Sequence, residues 1–160
     1  MKAKNLMLGL VVVLSLALAL PGAVLADNTT GVTGNVVAGY TFTAPAAIGL
    51  GDMTLGQENR ASSTGELSGN HPSGYTVAGK DIKPTNTGYM VSGEDALFHP
   101  LMLSQDEETY ASAGLETTFL TTAGPGTDQV PFYVSQLVLF DDPVATAYTI
   151  TITFTVTPKS

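Results

Sequence analysis

The chain is short of several residue types, and each shortage removes a class of function. Its 160 residues include no cysteine and no tryptophan, and only 6 lysines and arginines stand against 14 aspartates and glutamates. Without a thiol, a disulfide framework, a thiolate zinc site and a cysteine nucleophile are all excluded. The net charge of −8 argues against nucleic-acid binding, which requires clustered cations to displace counterions from phosphates.

The sequence also offers little for acid–base catalysis. Its two histidines, His71 and His99, each precede a proline in an apparent turn, which is typical of loop residues rather than of a catalytic base. The sequence lacks the Gly-x-Ser-x-Gly nucleophile elbow of serine hydrolases and the P-loop of nucleotide-binding proteins. It also lacks the dinucleotide-binding fingerprint and the His-Glu-x-x-His motif of zinc proteases. A carboxylate pair that meets from distant loops stays open. We therefore predict a non-enzymatic protein that requires no cofactor.

The N-terminus has the pattern of an export signal. Lys2 and Lys4 precede an apolar run over residues 6–20, and Ala26 fits the small-residue position that a signal peptidase reads. This predicts cleavage between Ala26 and Asp27. The alternative is a permanent membrane helix, but the run of about 15 residues is shorter than the roughly 20 that a bilayer requires.

Cleavage at that point defines two parts of the chain. Residues 1–26 are predicted to be a signal helix, and residues 27–160 a single secreted domain. The predicted domain keeps four cations against all 14 acids, a formal charge of −10. It contains no further apolar stretch long enough to cross a membrane, so we expect no transmembrane segment after signal removal and a location outside the cell, at its surface.

The C-terminal region carries the clearest strand signal. Large apolar residues alternate with threonines, and a period of two places all of them on one face. Threonine on the other face favours an extended backbone and tolerates water. The uncharged run over residues 146–157 lacks the lysines that protect sheet edges, which suggests pairing with another subunit. The predicted assembly strand consists of Tyr148, Ile150, Ile152, Phe154 and Val156.

Other segments predict further strands with turns between them. Residues 130–140 are rich in valine, leucine and aromatics and end at an Asp-Asp-Pro turn, so they are predicted to form a closing hairpin with the C-terminal strand. Two copies of Gly-Tyr-x-Val-x-Gly, at residues 74–79 and 88–93, are predicted to pair as adjacent antiparallel strands. Residues 57–73 are polar and are interpreted as a loop, or as a weak exposed strand around Gly65 to Ser68.

These signals together define a fold class. About seven to nine short strands, punctuated by glycine and proline, predict an all-β protein with one antiparallel β-sandwich, immunoglobulin-like or related. Helices do not alternate with the strands, which excludes a parallel α/β sheet.

Acidic loops raise the question of a cation. Asp141 and Asp142 supply oxygen donors of the kind that calcium prefers, although Asp-Asp-Pro is also a good turn in its own right. Calcium is thus the one cofactor the sequence leaves open. Four tyrosines offer a glycan platform in the absence of tryptophan, but tyrosines in strands are more often core residues. These tyrosines are Tyr75, Tyr89, Tyr110 and Tyr133.

The end of the chain resembles a known group of proteins. Residues 136–156, an apolar strand, an Asp-Asp-Pro turn and the run Ala-Tyr-Thr-Ile-Thr-Ile-Thr-Phe-Thr-Val, are similar to the closing strands of WxL-type bacterial cell-wall proteins. Phe154, Thr155 and Val156 stand where those proteins have their final Trp-x-Leu. The resemblance implies a signal peptide, a threonine-rich β domain and attachment to peptidoglycan.

The sequence as a whole favours a secreted surface or matrix module that works in display, adhesion or strand-mediated assembly. Its expected partners are other surface proteins, cell-wall material or further copies of itself. The alternative is a small carbohydrate-binding module with a weak calcium site.

Overall fold

The computed structural model describes residues 33–160. The predicted signal helix and its cleavage point between Ala26 and Asp27 lie outside the described residues. Within residues 33–160 the chain forms ten β-strands, all paired antiparallel, and contains no helix that could span a membrane. The prediction of an all-β antiparallel fold is confirmed. The strands are β1 (Tyr40–Thr43), β2 (Glu58–Gly69), β3 (Tyr75–Asp81), β4 (Val91–Ser92), β5 (Asp95–Ala96), β6 (Met102–Ser104), β7 (Ala111–Ser112), β8 (Thr117–Thr121), β9 (Gly126–Leu137) and β10 (Ile152–Pro158).

The strands form two main sheets and a small hairpin. Sheet A has five strands in the order β1-β2-β9-β6-β7, and sheet B has three in the order β10-β3-β8. Strands β4 and β5 pair only with each other. Since consecutive strands of the chain often lie in different sheets, most pairing is between segments that are far apart in sequence.

The longest pairing joins β2 to β9 over twelve residue pairs, from Glu58↔Leu137 to Gly69↔Gly126. On β9 the alternating Val130, Phe132 and Val134 all point into the core. Strand β2 is mostly serine and other polar residues, and the interpretation of this region as a loop is wrong from Glu58 to Gly69. The alternative, an exposed strand around Gly65 to Ser68, falls within β2 but covers only a third of it. Only Thr64 of β2 is β-branched and most of its other residues have low strand propensity, so the extended backbone depends on the hydrogen-bonding partner that β9 supplies.

The two sheets contact each other through aromatic rings. Phe119 of β8 and Phe154 of β10, both in sheet B, lie 5.3 Å and 5.4 Å from the ring of Phe132 in sheet A, centroid to centroid. Phe42 of β1 meets Phe154 at 5.8 Å. Such tilted and edge-on contacts are the favoured geometries of aromatic pairs. The main core therefore lies between sheets A and B.

Two predicted pairings are wrong. The segment over residues 130–140 does not form a hairpin with the C-terminal strand, because β9 lies in sheet A and β10 in sheet B. The first Gly-Tyr-x-Val-x-Gly copy contributes to β3, which pairs with β10 and β8, whereas the second contributes to β4, which pairs with β5. In both cases a partner distant in sequence displaces the neighbour along the chain.

Candidate functional site

Strand β10, the C-terminal strand, lies at the edge of sheet B. It pairs with β3 along its full length, from Ile152↔Asp81 to Pro158↔Tyr75. Within residues 33–160 no strand pairs with its other side. The predicted assembly strand therefore lies on a sheet edge, although the regular strand begins at Ile152. Before it, Thr149 forms a single antiparallel bridge to Val91, and Tyr148 and Ile150 lie outside the strand.

The register shows which backbone groups of β10 face the open side. The N–H of Lys159 donates to the carbonyl of Gly74, and the same register opposes Thr157 to Thr76 and Thr155 to Ala78. Odd-numbered residues therefore direct their N–H and C=O groups towards β3, because these groups alternate sides along an antiparallel strand.

The even-numbered residues of β10 consequently direct their backbone groups to the open side. Ile152, Phe154 and Val156 each present one N–H and one C=O there, and Pro158 presents only a carbonyl because proline has no N–H. Their side chains point inward, towards sheet A, since the outward face carries the threonines. The same three residues thus offer both unpaired backbone groups and apolar side chains.

An apolar groove runs beside this edge. It has a volume of about 380 Å³. Ile48 and Leu50, from the connection between β1 and β2, line it together with Ile150, Ile152 and Phe154 on the β10 side. Ile48 and Leu50 are apolar residues of a glycine-spaced connection, and no pattern in the sequence indicates that they face β10 across a groove.

The apolar face of β10 is incompletely covered. Ile150, Ile152, Phe154 and Val156 contact the core but are only half-buried. By contrast, the inward residues of β9 are at most 7% exposed. An additional strand beside β10 would cover side chains that the fold leaves in contact with water.

Apart from Pro158 at its end, β10 lacks the features by which proteins protect open strands. No charged residue occurs from Pro143 to Pro158, whereas edge strands are commonly protected by lysine, inward charges or bulges. Within residues 33–160 the other open stretches are charged, shorter or interrupted. Strand β1 pairs only with the part of β2 from Glu66 to Gly69, so the rest of β2 is also open on that side, but it carries Glu58 and Arg60. Strands β1 and β7 have four and two residues, and β8 has five with a register shift in its pairing to β3.

Tyr148 closes the groove at the N-terminal end of this segment. Its hydroxyl donates a hydrogen bond to the carbonyl of Pro143, and it lines the groove beside Ile150. Burial raises the pKa of Tyr148, with a smaller contribution from Asp95 and Asp142. The phenol therefore stays neutral, and the groove wall carries no charge.

Asp141 and Asp142, the candidate calcium ligands, lie in the turn that follows β9. Asp142 is buried, and its two carboxylate oxygens accept the N–H groups of Phe98 and Leu139, each at 2.6 Å. Asp141 is exposed. Within residues 33–160 no three histidine, aspartate or glutamate side chains are placed to hold a metal ion. Calcium binding at this turn stays a prediction.

The candidate tyrosines and histidines do not converge. Tyr75 is 2% exposed and donates its hydroxyl to the carbonyl of Gly39, so its ring is a core element. His71 packs edge-on against it, with ring centroids 5.8 Å apart. Tyr110 lies under the Arg60 guanidinium at 5.3 Å, and burial raises its pKa. Tyr89 lies in the connection between β3 and β4, Tyr133 lies on β9, and the carbonyl of His99 accepts a hydrogen bond from the Gln136 side chain.

Comparison with known proteins assigns no family: no family model matches the chain, and no curated protein matches it either. The resemblance of residues 136–156 to the closing strands of WxL-type proteins stays a prediction. Function has to be inferred from the β10 edge and its groove.

Proposed function

We propose that this protein is a secreted, non-enzymatic module of the cell surface or extracellular matrix, and that it works in assembly, display or adhesion by accepting a strand at the open edge of β10. The observation that carries this proposal is the coincidence, on Ile152, Phe154 and Val156, of unpaired backbone groups with half-buried apolar side chains. Strand addition uses both, because main-chain bonds supply affinity and side-chain pockets supply specificity.

The proposed architecture is a single β-sandwich, immunoglobulin-like or related, over residues 27–160. The aromatic contacts between sheets A and B support it, since inner faces that interdigitate are the core of such a fold. In a sandwich, a groove opens where the facing edges of the two sheets move apart. The groove between the β1–β2 connection and β10 fits this description.

The energetics favour occupation of the edge. Each net backbone hydrogen bond contributes about 0.5–1.5 kcal/mol, and three residues of β10 have both groups available. Covering the apolar side chains adds about 25 cal/mol for each Å² removed from water. Because the accepting strand carries no charge, the high negative charge of the domain causes no local repulsion at the edge.

Two buried acids, Asp81 and Asp142, have structural partners, which supports a module without a reactive centre. The buried Asp81 accepts the N–H groups of Lys83 and Gly88. Asp142 holds its turn in the same way. Carboxylates used in this manner fix loop geometry at the ends of the sheets.

The test compares two lysine substitutions in the exported form of the protein, obtained by expressing the full chain in a secreting host. Ile152→Lys places a charge in the groove, whereas Thr155→Lys places one on the outer face of the same strand. We expect the parent and Thr155→Lys to form polymers as concentration rises, and Ile152→Lys to sediment as a monomer.

A second variant protects this test against simple unfolding. Val156→Pro removes one N–H from the open side and leaves the bonds to β3 in place, which an edge strand tolerates. Circular dichroism checks that each variant is folded. A parent protein that stays monomeric at millimolar concentration, and forms no assemblies visible by electron microscopy on cells, would overturn the assembly function.

A further inference from the structure

We propose that the strand accepted at the β10 edge comes from a second copy of this chain, and that it is the segment before β1, residues 28–36. This inference rests on the proposed function of the β10 edge and names its occupant. Residues 28–36 are called the donor segment below.

The donor segment has the chemistry that the groove requires. No charged residue occurs from Asn28 to Gly51, so the segment meets the uncharged β10 without repulsion. Its even positions include Val32 and Val36, and its odd positions are threonine, glycine and asparagine. Such alternation presents apolar side chains to one face only, as an added strand beside a half-buried edge requires.

The part of this segment that the structure describes is exposed and unpaired with any strand. Residues 33–39 all lie at the surface and belong to no strand. Val36 is 90% exposed and its neighbour Val37 81% exposed. The exposed Val36 of one copy can therefore enter the apolar groove of another, whereas Val37 points to the opposite face of the segment.

The point where the segment joins the sheets favours a second copy over the same copy. The N–H of Gly39 donates to the side-chain oxygen of Asn70, and the backbone N–H of Asn70 donates to the carbonyl of Gly39. The side-chain amide of Asn70 also donates to the carbonyl of Val37. These bonds fix the entry to β1 next to Tyr75, because the Tyr40 and Tyr75 rings lie 5.5 Å apart.

Tyr75 pairs with Pro158, the last residue of β10, whereas the groove lies towards Tyr148 at the other end. A donor segment would therefore have to reverse direction at residues that are already held in order to reach its own groove. A copy placed end to end presents its groove without such a reversal. The contact is heterologous, and its repetition gives a filament rather than a closed ring.

The lengths agree with this arrangement. Nine extended residues span roughly 30 Å, at about 3.3 Å for each residue. The seven residues of β10, from Ile152 to Pro158, span roughly 23 Å on the same basis. The donor segment is thus long enough to pair along the whole edge while Val37 to Gly39 stay bound to their own Asn70.

The test uses two neighbouring valines of the exported full chain. Val36→Asp places a charge on the face that would enter the groove, and Val37→Asp places the same charge one residue later, on the opposite face. Both residues are exposed, so neither change should affect folding. We expect Val36→Asp to raise the concentration at which polymers form by roughly tenfold or more, and Val37→Asp to resemble the parent.

Mixing two defective variants sharpens the result. Val36→Asp keeps an intact groove, and Ile152→Lys keeps an intact donor segment, so their mixture can form one junction and no more. We expect each variant alone to sediment as a monomer and the mixture to yield a dimer but no polymer.

Failure of the donor segment and failure of the proposed function give different results. If Ile152→Lys abolishes assembly but Val36→Asp does not, the occupant is another strand, and only the inference about the donor segment is overturned. If the parent does not assemble at all, both proposals are overturned. If Val37→Asp impairs assembly as much as Val36→Asp does, the inference that the even-numbered side chains of the donor segment face the groove is wrong.

Discussion

Strands β9 and β10 have similar sequence patterns, but β9 is a central strand of sheet A and β10 is an edge strand of sheet B. In each, aromatic and aliphatic residues alternate with smaller or polar ones. Strand β9 lies between β2 and β6, and its inward residues are buried, whereas β10 has β3 on one side only and its inward residues are half-buried. Alternation therefore encodes which face of a strand turns inward, and it does not encode whether the edge is covered.

The first and largest predicted difference compares one phenylalanine from each strand. Phe132→Ala on β9 should lower the free energy of unfolding by about 3–5 kcal/mol, because it leaves a cavity beside Phe119 and Phe154. Phe154→Ala on β10 should cost roughly half as much, since its side chain is only half-buried whereas that of Phe132 is 7% exposed, although both rings line the groove. Urea denaturation at low protein concentration measures both. Equal losses of unfolding free energy would show that Phe154 is packed as completely as Phe132, which contradicts an open groove at β10.

The second prediction concerns the connection that leads from β9 towards β10. Asp142→Ala removes the acceptor of two backbone N–H groups and should cost about 1–3 kcal/mol. The matched change Asp141→Ala, at an exposed position, should stay within about 0.5 kcal/mol of the parent.

Thermal unfolding with and without calcium completes this comparison. A midpoint raised by calcium in the parent, and no longer raised in Asp141→Ala, would support the calcium prediction at this turn. If Asp142→Ala is as stable as Asp141→Ala, the two hydrogen bonds do not hold the turn.

The all-β class was predictable because it depends on local periodicity. The alternation around Phe154 forms strand β10, and its apolar residues face the core as predicted. A turn also occurs at the Asp-Asp-Pro sequence. The predicted hairpin of β9 and β10 was wrong because a turn at residues 141–143 fixes only where a strand ends. Which sheet the chain enters next depends on partners far away in sequence.

The polar strand β2 and the groove were not predictable for related reasons. Twelve residues of β2 become extended because β9 offers them a full row of backbone partners. Ile48 and Leu50 have the apolar side chains of core residues. They line a groove because the β1–β2 connection lies opposite the open edge of β10. The repeated tyrosine motif separates in the same way, since β3 is central in its sheet and β4 is not.

The third and smallest predicted effect lies at the β7 edge of sheet A. Asp106, in the β6–β7 connection, accepts backbone N–H groups from Thr109 and Glu108 and a hydroxyl from Ser104, and these bonds lower its pKa. Asp106→Asn should speed amide exchange in this loop and leave assembly unchanged.

The pH dependence of this effect has a definite sign. A carboxyl group with a lowered pKa stabilises the folded state above its ordinary pKa of about 4, and this contribution is lost as the pH falls through the lowered value. The difference between Asp106→Asn and the parent should therefore be largest near neutral pH and vanish in acid. A difference that grows on acidification would contradict the assignment.

The most direct test of the open edge is residue-resolved hydrogen exchange by NMR, on dilute monomer and on assembled protein. In the monomer we expect the amides of Ile152, Phe154 and Val156 to exchange at least roughly tenfold faster than those of Thr153, Thr155 and Thr157, which bond to β3. In the assembled protein both sets should be protected. Equal protection of the two sets in the monomer would contradict the account, because it would mean that the edge is already covered.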